Sequence, residues 1–168
     1  MPGTASTTDC WTAFALLNTN ARPDSAESAQ NRRRLMDLAG RDFEGVIAAL
    51  LPRQMTKEHL GNPRLVATIT AMAHAVGAEA FLRQQAAIIG RVDSRASLAK
   101  IGCPTLVLAA REDAIMPMEV SEEMARGIPG ARLEVVEHCG HVSSIEQPEA
   151  VSALLRTWIS VAQGPGRE

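Results

Sequence analysis

Cys103-Pro-Thr-Leu-Val-Leu-Ala-Ala-Arg-Glu-Asp113 is the stretch whose reading decides the fold. From Thr105 to Ala110 the run is continuously apolar after its first residue, and it is rich in branched side chains. A strand with one wet face would alternate polar and apolar residues. This one does not, so it predicts a strand buried on both faces, the habit of parallel sheets. Arg111-Glu112-Asp113 is then an exit loop that ends on an acid.

Downstream, Pro117 opens a predicted helix to about Gly127, and Ile128-Pro129-Gly130 is a turn. Leu133 to Glu137 is a second strand, with His138-Cys139-Gly140-His141 as its exit loop. Pro148 opens a last helix that buries Val151, Leu154, Leu155 and Trp158. Strand, helix, strand, helix is a right-handed βαβα unit. In such sheets catalytic groups gather beyond the C-terminal strand ends. Asp113 and His141 both lie there, one βαβ step apart.

Upstream the period changes. Trp11 to Leu17 is a short apolar run closed by Asn18-Thr19-Asn20, which predicts a buried strand over about 12–17. Asp24, with Glu27 three residues on, has the pattern of a capping box for a helix ending at Gly40. Phe43, Val46, Ile47 and Leu50 recur at helical spacing up to Pro52. Asn62-Pro63 is an N-cap with proline at the first position of a helix whose apolar face runs from Leu65 through Met72 to Val76, closed by Gly77. Ala78 to Ile89 is one more helix, ended by Gly90. Residues 24–90 therefore read as a purely helical module.

The chain has 168 residues, 46% hydrophobic and 21% charged, enough for one core. The net charge of -2, with Arg32-Arg33-Arg34 as the longest basic run, argues against nucleic acid and membrane surfaces as partners. That run reads as a solvated helix face. No stretch of about 18 apolar residues is evident, so no membrane span is expected. Three cysteines without metal-ligand spacing, and no signal-peptide pattern, point to a reducing, cytoplasmic setting. Nothing calls for a cofactor: the four histidines lack ligand spacing, and no glycine-rich phosphate motif is present.

The segment Ile101 to Asp113 through Pro117, then Ile128-Pro-Gly-Ala-Arg-Leu133, Gly140-His141 and Glu146-Gln-Pro148, resembles the C-terminal part of the α/β-hydrolase superfamily. It resembles the short-cap esterase, lactonase and carbon–carbon hydrolase group. The resemblance implies a partial α/β-hydrolase fold: about three parallel strands with flanking helices and an inserted all-helical cap. Residues 1–24 would be a disordered leader and the first core strand, 25–96 the cap, and 97–168 the C-terminal half of the core. It also implies that Asp113 is the relay acid and His141 the general base, acting on a small ester, lactone or related carbonyl compound.

Family chain order places the nucleophile before the acid, in a Gly-x-Ser-x-Gly elbow. None of the ten serines lies in that motif, and no cysteine or aspartate replaces it. The expectation is a cap plus half a core, with the nucleophile not on this chain. The alternative is a catalytically inactive remnant, or a binding or structural fragment that pairs with another chain.

Other readings compete at each position. Asp113 could cap the turn before Pro117. Asp24 is a rival acid, although its capping context favours a structural role. His138, His59 and His74 read as surface, and Ser143 and Ser144 as the start of a short turn. Met55, Met72, Phe81, Gln85 and Ile88 are candidates to line a substrate pocket beneath the cap, against ordinary helical packing. The strand at 12–17 would present an apolar edge, which invites a homodimer or a complementing N-terminal fragment.

Overall fold

The computed structural model describes residues 13–162. The polar leader, Cys10, Trp11, Thr12 and the tail at Gly164-Pro165-Gly166 lie outside the described residues.

The first element among the described residues is β1 (Phe14–Leu17), followed by the helices α1 (Ala26–Ala39), α2 (Phe43–Gln54), α3 (Lys57–Leu60), α4 (Pro63–Ile89) and α5 (Arg95–Leu98). It continues with β2 (Thr105–Ala110), α6 (Met118–Gly127), β3 (Arg132–Val136), α7 (Ser143–Glu146) and α8 (Pro148–Ala162). The three strands form one parallel sheet in the order β1-β2-β3. Helices flank this short parallel sheet, as the resemblance to a partial α/β-hydrolase fold implies.

β2 lies in the middle of the sheet, and all six of its residues are buried. One face sends Val107 into a cluster with Leu98, Met124 and Ile128, beneath α5 and α6. The other sends Leu108 and Ala110 into a cluster with Val136, Cys139 and Val151, beneath α8. Burial on two faces is why the run carries no polar alternation. Phe14 pairs with Thr105 and Leu17 with Leu108, so β1 runs parallel to β2 and ends two residues short of its exit. The loops after all three strands thus emerge on one edge.

The helices between β1 and β2 have a small core of their own. Ala39, Val46 and Phe81 are buried together, and the rings of Phe43 and Phe81 meet at 5.8 Å in a tilted pair. The module leaves and rejoins the sheet at one place, where the Ser94 amide donates to the Ala21 carbonyl.

Several local expectations are corrected. The cap of α1 is Ser25, whose hydroxyl accepts from the Ser28 amide. Asp24 instead turns its carboxylate to Arg32 at 2.9 Å. Arg32 is therefore no part of a solvated face: its Nη1 reaches across to the Gln85 side chain at 2.8 Å. Helix α2 runs through Pro52 to Gln54: the fixed φ of proline is helical, and the lost hydrogen bond and the crowding of the preceding turn fall on the last turn of the helix. In α4, Asn62 caps the first turn as the pattern suggested. Gly77 breaks the helix with φ 74, a left-handed value that a side chain would resist, and the chain then resumes helix to Ile89.

By length and mean hydropathy α4 meets the requirement of a membrane span, contrary to the sequence reading. Its kink at Gly77 leaves two pieces, each shorter than the roughly 20 residues a bilayer core needs. It packs against α1, α2 and α3. Met72 and Val76, read as part of a buried face, are 52% and 44% exposed, because that face looks into a cleft rather than a core.

Candidate active site

Asp113 leaves β2 and His141 leaves β3, and the parallel register brings their loops side by side. Nδ1 of His141 lies 2.9 Å from Oδ2 of Asp113. The aspartate side chain is 1% exposed and that of the histidine 26%. The other carboxylate oxygen, Oδ1, accepts the amides of Ile115 and Met116, each at 2.8 Å. The Asn18 amide donates to Oδ2 at 3.2 Å. Every donor that faces the carboxylate stabilises its charged form.

Burial pushes the Asp113 carboxyl upward. The hydrogen bond from His141, its charge when protonated, and the two amides outweigh this and hold it below the usual range. An ionised carboxylate only accepts, so Nδ1 of His141 carries the hydrogen and Nε2 of the neutral ring keeps its lone pair. Nε2 has no hydrogen-bond partner among the described residues. A ring held this way can take a proton from a nucleophile and return it to a leaving group, with the acid stabilising the imidazolium between the two steps.

Asn18 and Ser143 were not singled out for the site by the sequence. Asn18 follows β1 in the left-handed region at φ 47, a conformation asparagine tolerates. It accepts the Ser143 hydroxyl at 2.5 Å while donating to Asp113. Ser143 is 2% exposed and fixed by this bond, so it ties α7 to β1. The only signal in the sequence was the turn chemistry of Asn18-Thr19-Asn20.

A second buried carboxylate holds the histidine loop. The side chain of Glu146 is fully buried. It accepts the amides of Gly140 and Thr56 at 2.8 and 2.9 Å and meets Nδ1 of His59 at 2.8 Å. Val142 donates to the Gln54 carbonyl. The residues on both sides of His141 are thereby fastened to the α2–α3 junction. His59, read as surface, is corrected to a half-buried partner of this carboxylate. His138 is exposed, and His74 lies 3.4 Å from Glu44 on the surface. Cys139 is fully buried, and burial, with Glu146 and Asp113 nearby, pushes its thiol up to about 12.

His141 opens onto a cleft of about 620 Å³ between the helical module and the strand exits. Of the pocket candidates, Met72, Phe81, Gln85 and Ile88 line it. Met55 does not: it is 5% exposed, its backbone lies against Gly140, and it belongs to the packing under the histidine loop. Asp24 also lines the cleft, but its carboxylate is engaged by Arg32. Among the described residues no group of three or more His, Cys, Asp or Glu side chains has the arrangement to hold a metal.

Residues 3–154 match the model of the alpha/beta hydrolase family. The chain belongs to that family. Similar solved structures include an esterase from Thermogutta terrifontis, with a TM-score of 0.86 at 32% identity, over 92% of this chain and 58% of that one. An enol-lactonase from Burkholderia xenovorans LB400 follows, with a TM-score of 0.78 at 26% identity, over 88% and 55%. Among sequences, RutD of Pseudomonas savastanoi pv. phaseolicola, named as a candidate carbamate hydrolase, is 41% identical over 78 residues, 46% of this chain and 30% of its own length. RutD of Klebsiella pneumoniae is 29% identical over 161 residues, 93% of this chain and 59% of its own. This chain thus spans less than two thirds of each of these relatives.

Proposed function

We propose that this chain supplies the acid, Asp113, and the general base, His141, for hydrolysis of a small ester, lactone or related carbonyl compound. The observation that carries the reading is the 2.9 Å pair between an aspartate saturated with donors and a histidine that lines a cleft. The esterase and enol-lactonase neighbours support the substrate class. The helical module would act as the cap over that cleft.

The nucleophile lies outside these 168 residues, since none of their serines or cysteines stands in an elbow motif. Ser143 is engaged with Asn18, and Cys139 is a buried thiol. Neither suits attack on a carbonyl carbon. A complementing polypeptide is expected to dock along β1. Its ladder amides at Phe14 and Asn18 point to β2, so those of Ala15 and Leu17 point to the opposite edge.

A fluorophosphonate probe, with tandem mass spectrometry of the labelled peptide, tests this. Label is expected on a serine of a co-purified polypeptide. Label on a serine of this chain would overturn the assignment. The second reading, an inactive remnant or binding fragment, is favoured by the missing elbow, and it gains if no polypeptide in the preparation is labelled.

A further inference from the structure

Four arginines line the cleft into which His141 opens, and their partners differ. Arg22 is paired with Glu123 at 2.7 Å, and Arg32 with Asp24 at 2.9 Å. Arg53 and Arg91 have no carboxylate within ion-pair distance among the described residues. Arg53 is exposed at the rim. Arg91 is half-buried where the helical module rejoins the core.

The surroundings of Arg91 are specific. Its Nη2 donates to Oδ1 of Asn20 at 3.2 Å, a neutral acceptor that also takes the Arg22 amide. The amide of Asn20 reaches Met116 at 2.8 Å, and the Met116 backbone amide is one of the two on Asp113. Arg91 is therefore built into the same network as the relay acid. Its Nε is buried with no hydrogen-bond partner, and Nη1 has none among the described residues. A buried donor left unpaired is costly, and Arg91 has no counter-charge of its own, because the carboxylate on the cleft wall, Asp24, is engaged by Arg32. Nε is enclosed by protein, so Nη1 and the second hydrogen of Nη2 are the donors left for a ligand, and they match the planar, two-oxygen geometry of a carboxylate.

We propose that Arg91 anchors a carboxylate of the substrate. The compound processed at His141 would then be an ester, lactone or related carbonyl compound that carries a free acid group at one end. The apolar wall of Phe43, Ile69, Phe81 and Ile88 would hold the chain between the two ends. Arg53 at the rim adds attraction for an anion and no fixed contact. The proposal rests on the hydrolytic reading for the identity of the reacting carbonyl, and its test does not need the nucleophile.

The test is calorimetric binding of 5-oxohexanoate and of its neutral amide, 5-oxohexanamide, to the full chain at low ionic strength. Both are ketones without a leaving group, so hydrolysis does not enter. The acid is expected to bind about 10–100-fold more tightly than the amide, the range for a hydrogen bond to a charged group. R91Q is expected to abolish that preference and R91K to keep part of it, with thermal melts verifying that the variants are folded. Equal binding of acid and amide to the native chain would overturn the proposal, and this comparison needs no variant. It would also fail if R91Q weakened both ligands equally, or if the matching phosphonate bound more tightly than the acid. A retained preference together with no labelled serine in the preparation would sink the hydrolytic reading and leave the anchor standing.

Discussion

The carboxylate of Glu146 accepts the amide of Gly140, the residue before His141, at 2.8 Å, and it is fully buried while doing so. It also accepts from Thr56 and meets His59, so one side chain fixes the histidine loop and the helical module together. E146A would leave these donors without an acceptor. It is expected to lower stability by about 3–5 kcal/mol, the cost of removing one partner from a buried charged contact. Urea denaturation measures it, and a loss below about 1 kcal/mol would show the clamp to be dispensable.

Gly140 gives a second probe of the same junction. A Cβ there would meet the Gln54 carbonyl and the Met55 backbone at 3.1 Å. Backbone atoms cannot step aside as a flexible side chain can, so G140A is expected to destabilise by about 1–3 kcal/mol. At Gly102 an added Cβ meets nothing within 4 Å, and G102A is expected to stay within about 0.5 kcal/mol of the parent. Equal melting temperatures for the two variants would contradict this.

D113N tests the relay itself. An amide can donate where the carboxylate only accepted, which favours the tautomer with hydrogen on Nε2 of His141. In nitrogen NMR of the imidazole, the native chain is expected to show protonated Nδ1 and the variant protonated Nε2. An unchanged tautomer would mean that Asp113 does not orient the ring.

Acid stability follows from the same contact. The Asp113 carboxyl is held below its usual range in the folded chain, so its stabilisation is complete above the unfolded value of about 3.9 and is lost as pH falls through the folded value. Asp93, lowered to about 2 by Arg95, acts in the same direction but is exposed, so high salt screens it. In about 0.5 M salt, stability between roughly pH 2 and 5 should fall less steeply for D113N than for the native chain. Parallel curves would count against the assignment.

Cys139 should be inert in the folded state. With its thiol pushed up to about 12 and no exposure, it is expected to resist iodoacetamide at pH 8 while partly exposed Cys103 reacts. Both should react in strong denaturant. Peptide mass spectrometry distinguishes them, and rapid labelling of Cys139 in the native chain would refute its burial.

Among the described residues no strand pairs with the outer edge of β1, and this predicts association. Sedimentation velocity on the isolated chain is expected to show a dimer or larger species, or material that stays soluble only with a partner polypeptide. A monodisperse, stable monomer would remove the case for docking along β1.

Much of the fold was legible in local sequence. Leu106 to Ala110 announced a doubly buried strand because each residue had to be apolar, whichever face it took. Asn62-Pro63 and Gly77 marked helix limits through chemistry that acts within a few residues. Asp113 and His141 were legible for the same reason, as chemical groups placed directly after buried strands. Tertiary structure alone decided which distant groups complete the site. Asn18 reaches Asp113 across 95 residues and Glu146 reaches His59 across 87, distances at which no periodic pattern carries information. It also separated Met55, buried under the histidine loop, from Met72 on the cleft wall, although both looked alike as apolar residues in a helical module. Sequence spacing determines which face of its own element a side chain takes. Only the packing of one element on another determines whether that face meets a core, a cleft or a carboxylate.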